Sequence, residues 1–134
     1  MGNDLPDYYE SSAGVYLQPE WAAKGGTDKN LYGYITNVSI AVDTLILDYL
    51  VPTGKTLIIN GYGVMVTILT GNVSGYLFDW IGAGTLAVGG GAQGFYVSLN
   101  KPVTIPAGRR ARVYGAHYCA ADASLHAIIV GYEL

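Results

Sequence analysis

From about residue 31 onward, the chain is a series of short β-type segments separated by turns that contain glycine or proline. Residues 95–100 alternate strictly, with Phe95, Val97 and Leu99 on one face and Tyr96 and its polar neighbours on the other. Further strands are predicted at 32–40, 44–51, 55–70, 73–81, 84–88, 102–105 and 109–118 and in the C-terminal run. Eight or nine short strands at this spacing predict an all-β fold, either a sandwich or a barrel. We expect a single antiparallel β-sandwich.

Glycine and proline also mark where the predicted strands end. The turn signals are Pro52-Thr53-Gly54, Gly71-Asn72, Gly89-Gly90-Gly91 and Pro106-Ala107-Gly108. Within the long run 55–70, Gly61 and Gly63 predict a bend or a β-bulge. The core residues expected from alternation, together with the face of 95–100 named above, are Ile58, Tyr62, Val64, Val66 and Ile68.

The first 30 residues have no sustained hydrophobic period. They mix acids, glycine and proline with isolated large side chains, which predicts an extended N-terminal arm (1–30) preceding a β-sandwich domain (31–134). Such side chains either dock on a neighbouring subunit or pack on the arm's own domain, and the sequence leaves both open. The candidates for an interface are Leu5, Tyr8, Tyr9, Tyr16 and Trp21.

Charge is scarce in this 134-residue chain. Charged residues make up 13% of the sequence, against about 25% in an ordinary globular domain, and the net charge is −3. A surface this poor in charge favours self-association over a monomer. The acidic balance argues against nucleic acid as a partner. We find no signal peptide and no apolar run of bilayer length, so no membrane partner is expected.

Two fragments look like nucleotide-binding motifs, and neither fits. Gly54-Lys55-Thr56 would need a glycine at position 49, which is Tyr49, and a strand follows it instead of a helix. The run Gly82–Ala87 fits a dinucleotide fingerprint in spacing, but three glycines interrupt the helix that it should open. The sequence has no nucleophile and base, and no pair of carboxylates, at a spacing typical of a catalytic site. We therefore expect no catalytic residues, no cofactor and no enzymatic activity.

Two smaller constellations remain. His117, Cys119 and His126 are potential zinc ligands, but strand histidines more often pack beside tyrosine, and no metal is expected. Arg109, Arg110 and Arg112 are interpreted as the salt-bridged rim of an interface, which the acidic arm of a neighbour could meet. The alternative is a solvated strand edge that prevents misassociation.

Two phrases carry a family resemblance. The stretch 51–59 (VPTGKTLII) resembles a strand opening, and 101–108 (KPVTIPAG), followed by Arg112-Val113, resembles a later turn, of small viral β-sandwich proteins. The closing IVGYEL (129–134) is similar to the end of many such chains. The resemblance covers about residues 50–134 and points to phage-type capsid decoration proteins and fibre modules, which have jelly-roll-like folds.

This resemblance implies a non-enzymatic structural subunit of a virus particle. Such a subunit decorates or cements the capsid surface as a homo-oligomer, preferably a trimer, and its arm contacts neighbours. Its partners would be copies of itself and the major capsid protein or another virion protein, and its location would be the virion surface.

A second class of function stays open. The chain contains 12 Tyr and 2 Trp, and flat aromatic rings stack on sugars. A carbohydrate- or receptor-binding module of a tail fibre or spike would present an exposed aromatic cluster beside a carboxylate, for example Tyr76, Asp79 and Trp80.

Overall fold

The computed structural model describes residues 9–10, 16–17, 26–80 and 84–134. Within the predicted arm, β1 (Tyr9–Glu10) pairs antiparallel with β2 (Tyr16–Leu17). Leu5, Tyr8 and Trp21 lie outside the described residues, as do the side chains of Tyr9 and Tyr16. The docking of the arm therefore stays a prediction.

Eight further strands form two four-stranded antiparallel sheets. They are β3 (Thr27–Val38), β4 (Thr44–Leu50), β5 (Thr56–Thr67), β6 (Asn72–Trp80), β7 (Gly84–Ala92), β8 (Gly94–Pro106), β9 (Arg110–His117) and β10 (Ala123–Glu133). The sheet orders are β3-β10-β5-β8 and β4-β9-β6-β7, so the chain changes sheet at every connection except that between β6 and β7. This is the jelly-roll order, and the predicted all-β sandwich is confirmed. No helix in the described part of the chain is long and apolar enough to cross a membrane.

The core lies between the two sheets and is filled by alternate residues of their central strands. Leu125, Ala127 and Ile129 of β10 and Val113 of β9 are almost completely buried. The strict alternation of these strands explains the arrangement, because successive side chains point to opposite faces of a sheet. The C-terminal run therefore presents His126 and the other even-numbered residues on the outside.

Strand β5 departs from simple alternation because it contains the predicted bulge. The register with β8 and with β10 shifts next to Gly61, so Leu57 and Ile59 face inward before the bulge, and Tyr62 and the even-numbered valines face inward after it. Ile58 is buried too, but on the outer face, in register with Tyr132.

Besides Ile58, which was predicted to face the core, two core predictions need correction. Ile68 is 93% exposed, because it lies beyond the end of β5 with a φ of 77°, where the strand turns away from the core. Val64 and Val66 are buried as predicted, whereas Phe95, Val97 and Leu99 face the core but are only partly buried. These three lie on β8, an edge strand with a neighbour on one side only.

The two proline-containing turns form as predicted. In each, a backbone N–H bonds to the proline carbonyl, and Gly54 and Gly108 have φ values of 79° and 84°, which favour glycine. The glycine triplet 89–91 is not a turn, however, and lies within β7. Its first glycine leaves room for the ring of Phe95, which a Cβ on Gly89 would meet at 2.4 Å. The chain turns at Gln93 instead, with a φ of 69°.

A polar contact links the two sheets at one edge of the sandwich. The Tyr49 hydroxyl on β4 donates to a carboxylate oxygen of Glu133 on β10 at 2.6 Å, and Lys29 on β3 lies 3.8 Å from the other oxygen. Burial and the hydrogen bond to the carboxylate raise the pKa of Tyr49 to about 12. Glu133 is thus a buried carboxylate with two partners, as buried charges require.

Candidate interaction surface

The outer face of the sheet β3-β10-β5-β8 has no acidic residue, lysine or arginine over three successive rungs of four residues. From the β3 side, the rungs are Tyr34, His126, Met65 and Gly94; Tyr32, Ile128, Gly63 and Tyr96; and Asn30, Val130, Gly61 and Ser98. We call this surface the tyrosine face. None of its residues is Asp, Glu, Lys or Arg, and the first charge along β3 is Asp28, in the next rung.

Much of the tyrosine face is apolar and open to solvent. Tyr32 and Tyr34 are 59% and 62% exposed, and Met65, Tyr96 and Ile128 are also exposed. Single exposed apolar residues are ordinary on protein surfaces, but a contiguous group is typical of an interaction site.

His126 organises one end of this face. Its Nδ1 contacts the Tyr32 hydroxyl, and its Nε2 lies 3.1 Å from Oγ1 of Thr67. The ring of Tyr34 stacks on the imidazole, with centroids 5.7 Å apart and planes inclined by 20°. Because hydroxyl groups both donate and accept, they hold the imidazole in place whichever nitrogen carries the proton. The three rings form one fixed aromatic cluster.

Glycines shape the other end. A Cβ on Gly61 would lie 2.1 Å from the Tyr96 hydroxyl oxygen, and a Cβ on Gly63 would lie 3.3 Å from the ring of Tyr96. The side chain of Tyr96 therefore lies along the backbone of β5, in the space that larger residues would fill. The predicted bulge at these glycines is confirmed, and the close approach of Tyr96 gives them a second role.

Between these two ends lies a shallow apolar pocket of about 270 Å³. Its lining residues are Gly63, Val64, Met65, Gly94, Phe95, Tyr96, His126, Ala127 and Ile128. Gly63 and Gly94 have no side chains, which creates the depression, and the larger side chains around them form its walls. An apolar side chain of a partner would fit such a pocket, as anchor residues do at protein interfaces.

The opposite outer face, on the sheet β4-β9-β6-β7, is also aromatic but is tied together by charge. We call it the arginine face. Asp48 accepts from Arg110 at 3.1 Å and from Arg112 at 3.2 Å, and Arg112 also donates to the Tyr114 hydroxyl at 3.2 Å. The rings of Tyr114 and Tyr76 stack 5.1 Å apart.

Tyr76 is anchored in turn by Asp43. Its hydroxyl donates to the Asp43 carboxylate at 2.8 Å. Partial burial, followed by the hydrogen bond to this carboxylate and its charge, raises the pKa of Tyr76 to about 12. The polar atoms of the arginine face thus find partners within their own chain.

The third arginine of the predicted cluster points elsewhere. Arg109 donates to Asp79 at 2.8 Å, and Asp79 is only 2% exposed. Asp79 lies on the inner side of β6, whereas Tyr76 lies on the outer side, so these two residues do not form one exposed surface. The side chain of Trp80, the third member of that predicted group, lies outside the described residues.

The structure separates His126 from the other two potential zinc ligands, His117 and Cys119. His117 is buried, where its Nε2 donates to the Val38 carbonyl at 2.6 Å and its Nδ1 accepts from the backbone N–H of Cys119 at 3.2 Å. Both ring nitrogens are therefore occupied. His126 lies on the outside of the other sheet, and the described residues contain no group of three or more His, Cys, Asp or Glu side chains suited to a metal ion.

Sequence reasoning missed the tyrosine face as a unit. Alternation assigned Tyr96 and His126 to one face of their own strands. The pattern does not predict the strand order, and it is the strand order that brings these residues onto the same surface. The exposed rings and the apolar pocket of the tyrosine face are suited to binding an apolar or aromatic surface. In comparisons with known proteins, no family model and no curated protein matches this chain.

Proposed function

We propose that this protein is a non-enzymatic structural subunit of a virus particle. In this proposal it decorates or cements the capsid surface as a homo-oligomer, preferably a trimer, and contacts the major capsid protein or another virion protein. The arm formed by the N-terminal residues reaches a neighbouring subunit. The support comes from the resemblance of two turn phrases, the jelly-roll order and, above all, the tyrosine face.

The tyrosine face carries the proposal because its composition suits a covered surface. A charged side chain that is buried in an interface needs a partner of opposite charge there. The tyrosine face has no Asp, Glu, Lys or Arg, so its burial leaves no such group unpaired. With strands about 4.8 Å apart and rungs about 6.8 Å apart, three rungs across four strands cover roughly 400 Å². A standard interface uses about 800 Å² on each partner. The face therefore supplies about half of what a stable contact needs, and a docked arm would supply more.

The tyrosine face is tested by Ile128→Lys. Ile128 is 38% exposed at the edge of the pocket, so the monomer tolerates the lysine, whereas a covering partner would have to bury its charge. We expect the association constant to fall at least tenfold, measured by light scattering over a concentration series. The matched control is Ile40→Lys, the same change at a 51% exposed position in the loop before β4. This control should assemble like the wild type.

Two outcomes would contradict the assembly role. One is a wild-type protein that stays monomeric at high concentration and is not recruited to a capsid surface. The other is equal association of Ile128→Lys and Ile40→Lys, which would show that the tyrosine face is not covered.

The arm is tested by a chain that begins at residue 26, which keeps all eight sandwich strands intact. We expect this shortened protein to give the same far-UV circular dichroism for the sandwich but to associate or attach more weakly. Extended, the missing 25 residues span up to about 85 Å, enough to reach across an adjacent subunit. Unchanged association of the shortened chain would rule the arm out as a clasp.

The second candidate function is a carbohydrate- or receptor-binding module of a tail fibre or spike. One observation favours it: Tyr32, Tyr34 and Tyr96 expose ring surfaces beside a pocket. Glycan-array binding that is lost in Tyr34→Ala and kept in Ile40→Lys would support it over the assembly role.

A further inference from the structure

The four edge strands of the sandwich are protected unequally. Within the described residues, the edges are β3 and β8 in one sheet and β4 and β7 in the other. Strand β3 contains Asp28 and Lys29, β4 contains Asp48, and β8 contains Lys101 and two prolines. Charges and prolines on an edge discourage pairing with another chain. Strand β7, with the sequence GTLAVGGGA, has neither, and its one irregularity is a register shift at Leu86, near its first residue.

The backbone of β7 is also open on one side. Among the described residues, β7 is hydrogen-bonded only to β6, and none of the backbone hydrogen bonds outside the sheets involves residues 84–92. Its neighbour across the sandwich edge, β8, contributes the Phe95 ring against Gly89 instead of a backbone ladder. Every second residue of an edge strand directs its N–H and C=O away from the sheet, so β7 presents about four such residues.

The side chains of β7 leave room for a second strand. Most are glycine, alanine or threonine, and Val88, at the middle of the strand, is 71% exposed in register with Tyr76 on the arginine face. A partner strand would bury the exposed flank of Val88 and continue the same aromatic rung.

We propose that β7 pairs antiparallel with β7 of a second copy of this chain, about a two-fold axis. The sheet β4-β9-β6-β7 of one copy then joins the same sheet of the second copy, and together they form one sheet of eight strands. Val88 lies midway between Gly84 and Ala92, so the axis brings Val88 against Val88 of the second copy.

A second copy fits this edge because two-fold pairing sets each residue near its own equivalent or a close neighbour of it. A charge near the axis would meet a like charge. Strand β7 has no charge, whereas β4 and β8 have Asp48 and Lys101 next to their midpoints. The self-association required by the proposed function is the premise here, but the contact uses a different surface from the tyrosine face. It joins copies in pairs, so it would link trimers to one another instead of closing each trimer.

Charge reversal at position 88 tests the pairing. Val88→Lys and Val88→Glu each place like charges against each other across the axis, and each should lower the mass of the wild-type assembly at least twofold in light scattering. An equimolar mixture of the two variants should restore the full mass, because opposite charges then meet. The matched control, Val42→Lys, makes the same change at a 48% exposed loop position and should keep the wild-type mass.

Each other result is decisive as well. If the wild type is oligomeric and Val88→Lys keeps its mass, the β7 contact is overturned while the tyrosine face remains testable through Ile128→Lys. If both variants lose mass and the mixture does not regain it, two-fold pairing is overturned in favour of another occupant of the edge, such as the arm. A monomeric wild type would overturn the β7 contact, and it would overturn the proposed function as well only if this monomer is not recruited to a capsid surface.

Discussion

The two outer faces of the sandwich use aromatic residues in opposite ways. On the arginine face, Tyr76 and Tyr114 are tied to Asp43 and Arg112, so their hydroxyl groups are already engaged with charged partners in the same chain. On the tyrosine face, the aromatic cluster is joined to His126 and Thr67 and has no charged group among its partners.

The difference concerns what each face can give to a partner. A network of ion pairs that is complete within one chain gains little by being covered and would have to be desolvated. An uncharged aromatic surface with a pocket loses little on desolvation and gains from apolar contact. We infer that the arginine face mainly stabilises the fold, and that the tyrosine face is the one kept for association.

The largest effect that this comparison predicts is a loss of stability when a residue of the arginine face is replaced. Arg112→Met should lower the free energy of unfolding by about 2 kcal/mol, because Arg112 is only 17% exposed and its two hydrogen bonds to Asp48 and Tyr114 are lost. Urea unfolding measures this, and the mass of the assembly should not change.

Arg110→Met is the matched control, since Arg110 contacts the same carboxylate but is 38% exposed. An exposed pair contributes less than about 1 kcal/mol, so this variant should be close to the wild type in stability. Equal losses in the two variants, or a change of mass in Arg112→Met, would contradict the division of roles between the faces.

A smaller effect is the pH dependence of stability that Tyr76 gives to the arginine face. The Tyr76 phenol has a pKa of about 12 in the folded protein, against an ordinary value of 10.0. Below pH 10 the phenol is neutral in both states and its contribution to stability is complete. Between pH 10 and 12 the unfolded chain ionises first, so the free energy of unfolding falls as the pH rises.

Tyr76→Phe should remove one late-titrating phenol from the tyrosinate absorbance and reduce the fall of stability between pH 10 and 12. At neutral pH it should cost about 1 kcal/mol, the value of the lost hydrogen bond to Asp43. Burial also raises the pKa of Tyr62 to about 12, and Tyr49 behaves similarly, so part of the fall should remain. If the phenol that Tyr76→Phe removes instead titrates near pH 10, the Asp43 contact is absent in solution.

Alternation in the sequence predicted the strands and most of their inward faces, because burial on one side of a sheet imposes a period of two. It failed where the period changes or stops. The bulge beside Gly61 moves Ile58 to the outer face, and the end of β5 leaves Ile68 in solvent. The glycine triplet 89–91 was predicted to be a turn because local propensity does not register the Phe95 ring packed against it.

The candidate surfaces were less predictable than the fold. The tyrosine face draws its residues from four segments far apart in the chain. Only the strand order β3-β10-β5-β8 brings Tyr32, His126 and Tyr96 onto one surface. The interface residues predicted from composition fell in the arm, or among arginines that turn out to have partners in their own chain.

The position of β10 has a consequence for biosynthesis. This strand is the last of the eight along the chain, yet it is hydrogen-bonded on both sides, to β3 and to β5. During translation, β3 and β5 leave the ribosome without the neighbour that joins them, so their sheet is completed only after residues 123–133 have emerged. Folding of this sheet is therefore expected to be slow, as is usual when distant segments must pair. Until then, the nascent chain exposes strand edges that chaperones would have to shield.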